Sequence, residues 1–127
     1  MIEHSDPLVL IVDDNEQNAK LARDVLRATG FRTIEAESGA EAFERATVDR
    51  PDVILLDIRL PDMDGADVAR RLKGDARTAH IPVVAMTSLG LGEGGGWFLE
   101  AGFDGYLEKP IDVRAFPDQI RRFSQAG

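Results

Sequence analysis

Residues 53–57 read Val-Ile-Leu-Leu-Asp, four consecutive branched apolar side chains closed by a carboxylate. A run apolar at every position suits a strand buried on both faces, as parallel sheets require, and Pro51 and Asp52 supply the turn in front of it. Asp57 then stands at the carboxyl end of a central strand, where open α/β sheets place their ligand sites. Pro61 cannot continue a central strand, and Asp62-Met63-Asp64-Gly65 is turn chemistry leading into a helix. Taken alone, Asp57 reads more simply as a cap for that turn or helix.

The same pattern recurs elsewhere in the chain. Leu8-Val9-Leu10-Ile11-Val12 is a second continuous apolar run and ends in Asp13-Asp14; Pro82-Val83-Val84-Ala85-Met86 is a third and ends in Thr87-Ser88. Between the first run and Gly30, Leu21, Ala22, Val25, Leu26 and Thr29 recur at helical spacing. Arg32–Glu37 alternates around Ile34 and Ala36 and suits an edge strand. Ser38 followed by Glu41 matches a capping box opening a helix from Ala40 to about Val48, with Ala42, Phe43 and Ala46 facing inward. A helix from Ala66 to Lys73 buries Val68, Ala69 and Leu72. Tyr106-Leu107 forms a short last strand, and a helix from Val113 to about Ser124 buries Phe116, Ile120 and Phe123, with Pro117 tolerable in its first turn.

Five strands alternating with five helices predict a doubly wound α/β domain with a five-stranded parallel sheet. In the flavodoxin-like order 2-1-3-4-5, the first and third strands are neighbours at the switch point, so Asp13, Asp14 and Asp57 meet in one crevice. Carboxylates about 4 Å apart repel by roughly 4 kcal/mol at an effective dielectric of 20. Three together call for a cation, and all-oxygen ligands with several waters suit Mg²⁺. Lys109, beyond the last strand, adds a further positive charge, leaving the crevice ready for an incoming phosphoryl group.

Composition narrows the function. At 127 residues the chain is expected to be a single domain, with a core over about 8–124 and a short polar tail over 1–7. A formal charge of −8 argues against wrapping nucleic acid, which needs a basic stripe. The chain has no cysteine, so thiolate metal sites and a disulfide scaffold are excluded, in keeping with a reducing cytoplasm. No apolar run approaches the ~20 residues of a membrane span, and the first residues lack a basic signal-peptide start. A soluble, cytoplasmic protein is expected, without membrane or nucleic-acid partners.

With Asp13-Asp14, Asp57, Thr87, Tyr106 and Lys109-Pro110 all at strand ends, the chain resembles the receiver domain of two-component response regulators from Leu8 to Phe123. The segments at 11–15, 56–65 and 106–110 match that family's three signatures in order and spacing; each alone is weak. The resemblance is to single-domain types similar to chemotaxis and cell-cycle receivers. It implies that Asp57 takes a phosphoryl group from a sensor histidine kinase or a histidine phosphotransfer protein. It further implies a Mg²⁺ site of Asp13, Asp14, Asp57 and Arg59, in which Asp14 binds directly, Asp13 through water, and Arg59 through its backbone carbonyl. Lys109 and Thr87 would hold phosphoryl oxygens, Thr87 and Tyr106 would form the switch, and the Lys109-Pro110 bond would be a candidate cis peptide. The implied protein is no turnover enzyme, although it catalyses its own phosphorylation and dephosphorylation, and it switches a surface toward a downstream protein as a monomer or weak dimer.

Simpler readings stand beside these. Asp62 and Asp64 read as turn and cap residues, Thr87 as a β-branched strand residue, Tyr106 as an edge aromatic, and Trp97-Phe98 as plain core. His4 and His80 carry no chemistry in this reading. The glycines at 90, 92, 94, 95 and 96 lack a following Gly-Lys-Ser/Thr, which argues against a nucleotide loop. In a helix they would cost roughly 4 to 5 kcal/mol, so a late helix start near Gly96 or Trp97 and a mobile loop over Ser88–Gly95 are expected. A haloacid-dehalogenase-like phosphatase is a rival, but its second acid stands two residues after the nucleophile, whereas Asp13 and Asp14 are adjacent. A receiver with a decayed site is the other.

Overall fold

A computed structural model of the chain describes residues 6–57, 65–87, 102–108 and 111–126, the side chains of Thr87, Glu108, Gln125 and Ala126 excepted. Five parallel strands, β1 (Leu8–Val12), β2 (Arg32–Ala36), β3 (Val53–Asp57), β4 (Val83–Thr87) and β5 (Gly105–Glu108), form one sheet in the order β2-β1-β3-β4-β5. Four helices belong to the described residues: α1 (Glu16–Ala28), α2 (Gly39–Asp49), α3 (Gly65–Lys73) and α4 (Phe116–Ala126). The expected helix after Gly96, and the glycine-rich loop before it, lie outside the described residues.

Strand alternation sorts the core into two layers. Leu10, Val12, Ile54, Leu56, Val83 and Ala85 point to one face and meet Ala42 and Ala46 of α2 with Val68, Ala69 and Leu72 of α3. Val9, Ile11, Val53, Leu55, Val84 and Met86 point to the other and meet α1 through Ala19, Ala22 and Leu26, and α4 through Phe116 and Ile120. Every residue of β3 is buried, as a strand covered on both faces must be. β2 is an edge with a mixed burial pattern, as its alternation predicts.

Local expectations fail in instructive places. Leu21 is 39% exposed and Thr29 is exposed, while Ala19, absent from the expected stripe, is buried. The Thr29 hydroxyl donates instead to the carbonyl of Val25, and Gly30 closes the helix at φ 99°. Ser38 caps α2 by accepting from Glu41 N–H at 3.1 Å. The Glu41 carboxylate returns to Glu37 N–H at 2.9 Å, one residue before the expected reciprocal contact. α4 starts at Phe116 rather than Val113, because Asp112 first builds a turn: its side chain accepts from Arg114 N–H at 3.0 Å and its carbonyl from Phe116 N–H at 2.9 Å. Pro117 does fall in the first turn of α4, where a missing N–H costs nothing. Among the described residues no helix is long and apolar enough to cross a membrane.

Candidate functional site

The crevice at the carboxyl ends of β1 and β3 is set by strand register. Val12 lies opposite Leu56 across the parallel pair, so Asp13 and Asp57 leave the sheet at the same level. Both share the parity of Val9, Ile11, Val53 and Leu55, which places them on the side of the sheet that carries α1. Asp13 is held by the backbone, its N–H donating to Ala36 O of β2 at 3.1 Å. Asp14 is the next residue, at the entrance to α1.

Oxygens of Asp13, Asp14 and Asp57 lie within 4.8 Å of one another. Asp13 and Asp57 are buried, at 4% and 7% exposure, and Asp14 is exposed. Two shielded carboxylates beside a third repel one another, and a bound cation would relieve that repulsion. Among the described residues the donor set is hard oxygen throughout, with Asp14 reached by solvent, and fits an octahedral ion that keeps several waters. Mg²⁺ matches that chemistry; a thiolate-seeking metal does not.

Sequence reasoning missed Asn15. Its backbone N–H donates to Asp13 Oδ1 at 2.9 Å, and its side chain caps α1 by accepting from Asn18 N–H at 3.1 Å. An Asn immediately before an apolar-periodic helix is a cap signal and could have been read as one. The contact to Asp13 is an Asx turn in which residue 15 contributes only its backbone N–H, so its own side chain carries no signal for it.

The other expected site residues are placed less completely. Thr87 ends β4 in register with Glu108, which puts its backbone on the same edge of the sheet as Asp57, itself paired with Met86. Tyr106 sits in β5 opposite Ala85 and is 42% exposed. It lines a cavity of about 360 Å³ with Leu107, Gln119, Arg122 and Phe123, between β5 and α4. Arg59, Asp62, Asp64, Lys109 and Pro110 lie outside the described residues. His80 is an exposed turn residue.

Comparison with known proteins agrees with this fold. The polar-differentiation response regulator DivK of Brucella anthropi is 41% identical over 115 residues, spanning 91% of this chain and 94% of that protein. The chemotaxis response regulator CheY4 of Vibrio cholerae shares the fold with a TM-score of 0.88 at 24% identity, over 94% of this chain and 99% of that one. The receiver domain of a sensor histidine kinase from Pseudomonas aeruginosa PAO1 superposes with a TM-score of 0.86 at 29% identity, covering 95% of this chain and 99% of that one, and it has a magnesium ion coordinated in its active-site cleft. Residues 9–121, nearly the whole sheet and its helices, match the response regulator receiver domain, and the chain belongs to that family of two-component signalling.

Proposed function

We propose that residues 8–124 form a single receiver domain in which Asp57 accepts a phosphoryl group from the phosphohistidine of a sensor histidine kinase or a histidine phosphotransfer protein. The observation that carries this reading is the convergence of the Asp13, Asp14 and Asp57 oxygens within 4.8 Å at the end of a fully buried strand. An Asp57 oxygen attacks phosphorus, the bond to the donor imidazole breaks, and the imidazole leaves with the electron pair. The protein's task is in-line positioning and neutralisation of charge on the transferring oxygens. Mg²⁺ is the cation this donor set suits; when bound it offsets the negative charge shared by the acids and the phosphoryl oxygens. Asp14 would hold it directly and Asp13 through water, with Asp57 as the third carboxylate of the set. Arg59 through its carbonyl, Lys109 and Thr87 through their side chains, and Tyr106 as the follower of Thr87 complete the reading on the strength of the family resemblance.

The same resemblance supports a cytoplasmic protein that hands its state to a downstream protein partner as a monomer or weak dimer, and that catalyses only its own phosphorylation and dephosphorylation. Incubation with a small acyl phosphate and Mg²⁺, followed by intact mass, tests the reading. A single lasting adduct that disappears in Asp57→Asn is expected. Rapid turnover of donor without an adduct would favour a phosphatase. No reaction at all, or full labelling of Asp57→Asn at another aspartate, would overturn the assignment.

A further inference from the structure

Asn15 makes two contacts from one residue, and they point in opposite directions along the chain. Backward, its N–H holds Oδ1 of Asp13 at 2.9 Å and so fixes the rotation of a carboxylate in the acid crevice. Forward, its side chain accepts from Asn18 N–H at 3.1 Å and its carbonyl from Ala19 N–H at 3.0 Å, closing the first turn of α1. Both depend on one extended backbone conformation, φ −93° and ψ 113°, which is what a cap residue adopts. If the first turn frays, the N–H that orients Asp13 moves with it. If Asp13 is pulled into place, the cap geometry is favoured.

We propose that Asn15 is a positioning residue for the cation, coupling the affinity of the Asp13–Asp14–Asp57 crevice to the order of the first turn of α1. The inference rests on the Mg²⁺ reading given above. Coupling of this kind is reciprocal: whatever factor the closed turn adds to cation affinity, the bound cation adds to the stability of the closed turn. Groups that orient a ligand from behind commonly change metal affinity by tenfold or more. The positive end of α1 also faces the crevice, so an ordered first turn offsets part of the acids' charge.

Calorimetric titration of the unphosphorylated chain with Mg²⁺, paired with amide exchange at Asn18 and Ala19, reads both sides of the coupling. Asn15→Ala is expected to weaken Mg²⁺ about tenfold, whereas Asn15→Ser, which restores a neutral cap, stays within about twofold of the wild type. In the wild type, saturating Mg²⁺ is expected to slow exchange at Asn18, and in Asn15→Ala that protection is lost. Ser38→Ala removes a cap of the same kind, one that accepts from Glu41 N–H at the start of α2, the helix after β2 rather than the one after Asp13 and Asp14; it should lower the melting temperature and leave Mg²⁺ affinity unchanged. Wild-type binding that is equally tight in Asn15→Ala, or exchange at Asn18 indifferent to Mg²⁺, overturns this inference alone. Failure of the wild type to bind Mg²⁺, or undiminished binding in Asp14→Ala, overturns the metal reading and this inference with it.

Discussion

Arg50 closes α2 in the left-handed region, φ 51° and ψ 62°, and is the non-glycine residue with positive φ among those described. A side chain there crowds its own backbone at a cost of about 1 kcal/mol, and the following Pro51 removes the right-handed alternative. Arg50→Gly is therefore expected to stabilise the fold by up to about 1 kcal/mol, read as a higher midpoint in urea with an unchanged slope. Asp75 shows a second local effect. The Arg77 guanidinium donates to both its carboxylate oxygens, at 3.0 and 2.7 Å, and Arg77 N–H adds a third bond at 2.8 Å. These bonds, the guanidinium's first, lower its pKa from 3.8 to about 2. A depressed acid stabilises the fold above its unfolded pKa and loses that contribution as pH falls through the folded one, so the loss runs from about pH 4 down to about pH 2. In Arg77→Gln the Asp75 carboxyl resonance should titrate above about 2 yet stay below 3.8, because the backbone N–H at 77 remains; a midpoint still near 2 would assign the shift to another cause.

At the scale of elements, β5 and α4 fit together only because Gly105 lacks a side chain. A Cβ built there would collide with Cζ of Phe123 and lie 2.7 Å from its Cε1. Gly105→Ala should cost about 1 to 3 kcal/mol in chemical denaturation, and Phe123→Leu in the same chain should recover part of it. Equal losses in the presence and absence of the ring would refute the contact. Sequence patterning exposed the strands of this fold well and the helix faces less well. β1, β3 and β4 are legible because burial on two faces demands apolar residues at nearly every position. In α1, apolarity ranks Leu21 above Ala19, yet the buried face runs through Ala19, Ala22 and Leu26 at i, i+3 and i+7, and Leu21 lies off that face and is 39% exposed. The start of α4 was displaced for a similar reason: Val113 belongs to the Asp112 turn and is 50% exposed, which apolar spacing alone cannot distinguish from a first helical turn.

For the whole molecule, strand order brings residue 57 beside residues 13 and 14, far from it in sequence, and this part of the site was readable because strand ends and topology determine it. What could not be read is the backbone work: any residue's N–H at position 15 looks alike in a sequence, and the Ala36 carbonyl that holds Asp13 N–H leaves no mark at all. Gathering three acids in a chain of net charge −8 stresses the metal-free fold. Asp57→Asn should raise its stability by roughly 1 to 2 kcal/mol, a fraction of the bare repulsion because Asp14 is exposed and screened. Mg²⁺ at about a hundred times its dissociation constant should stabilise the wild type by about 2.7 kcal/mol and Asp14→Ala far less. A thermal melt with and without Mg²⁺ checks both; a metal-free Asp57→Asn that melts below the wild type would mean the acids are not in conflict.

β3 is covered at each of its positions and paired on both sides, by β1 and β4. Backbone so enclosed exchanges its amide hydrogens only through global unfolding. An acyl phosphate at Asp57 would thus be a labile bond mounted on the part of the molecule that yields last. Such an anvil does not absorb the strain of an added dianion; it sends it outward, and signalling motion is left to whatever borders the crevice. The amides of Ile54, Leu55 and Leu56 should accordingly exchange at the rate of global opening in both states, shifting together and only as far as phosphorylation changes the stability of the whole fold.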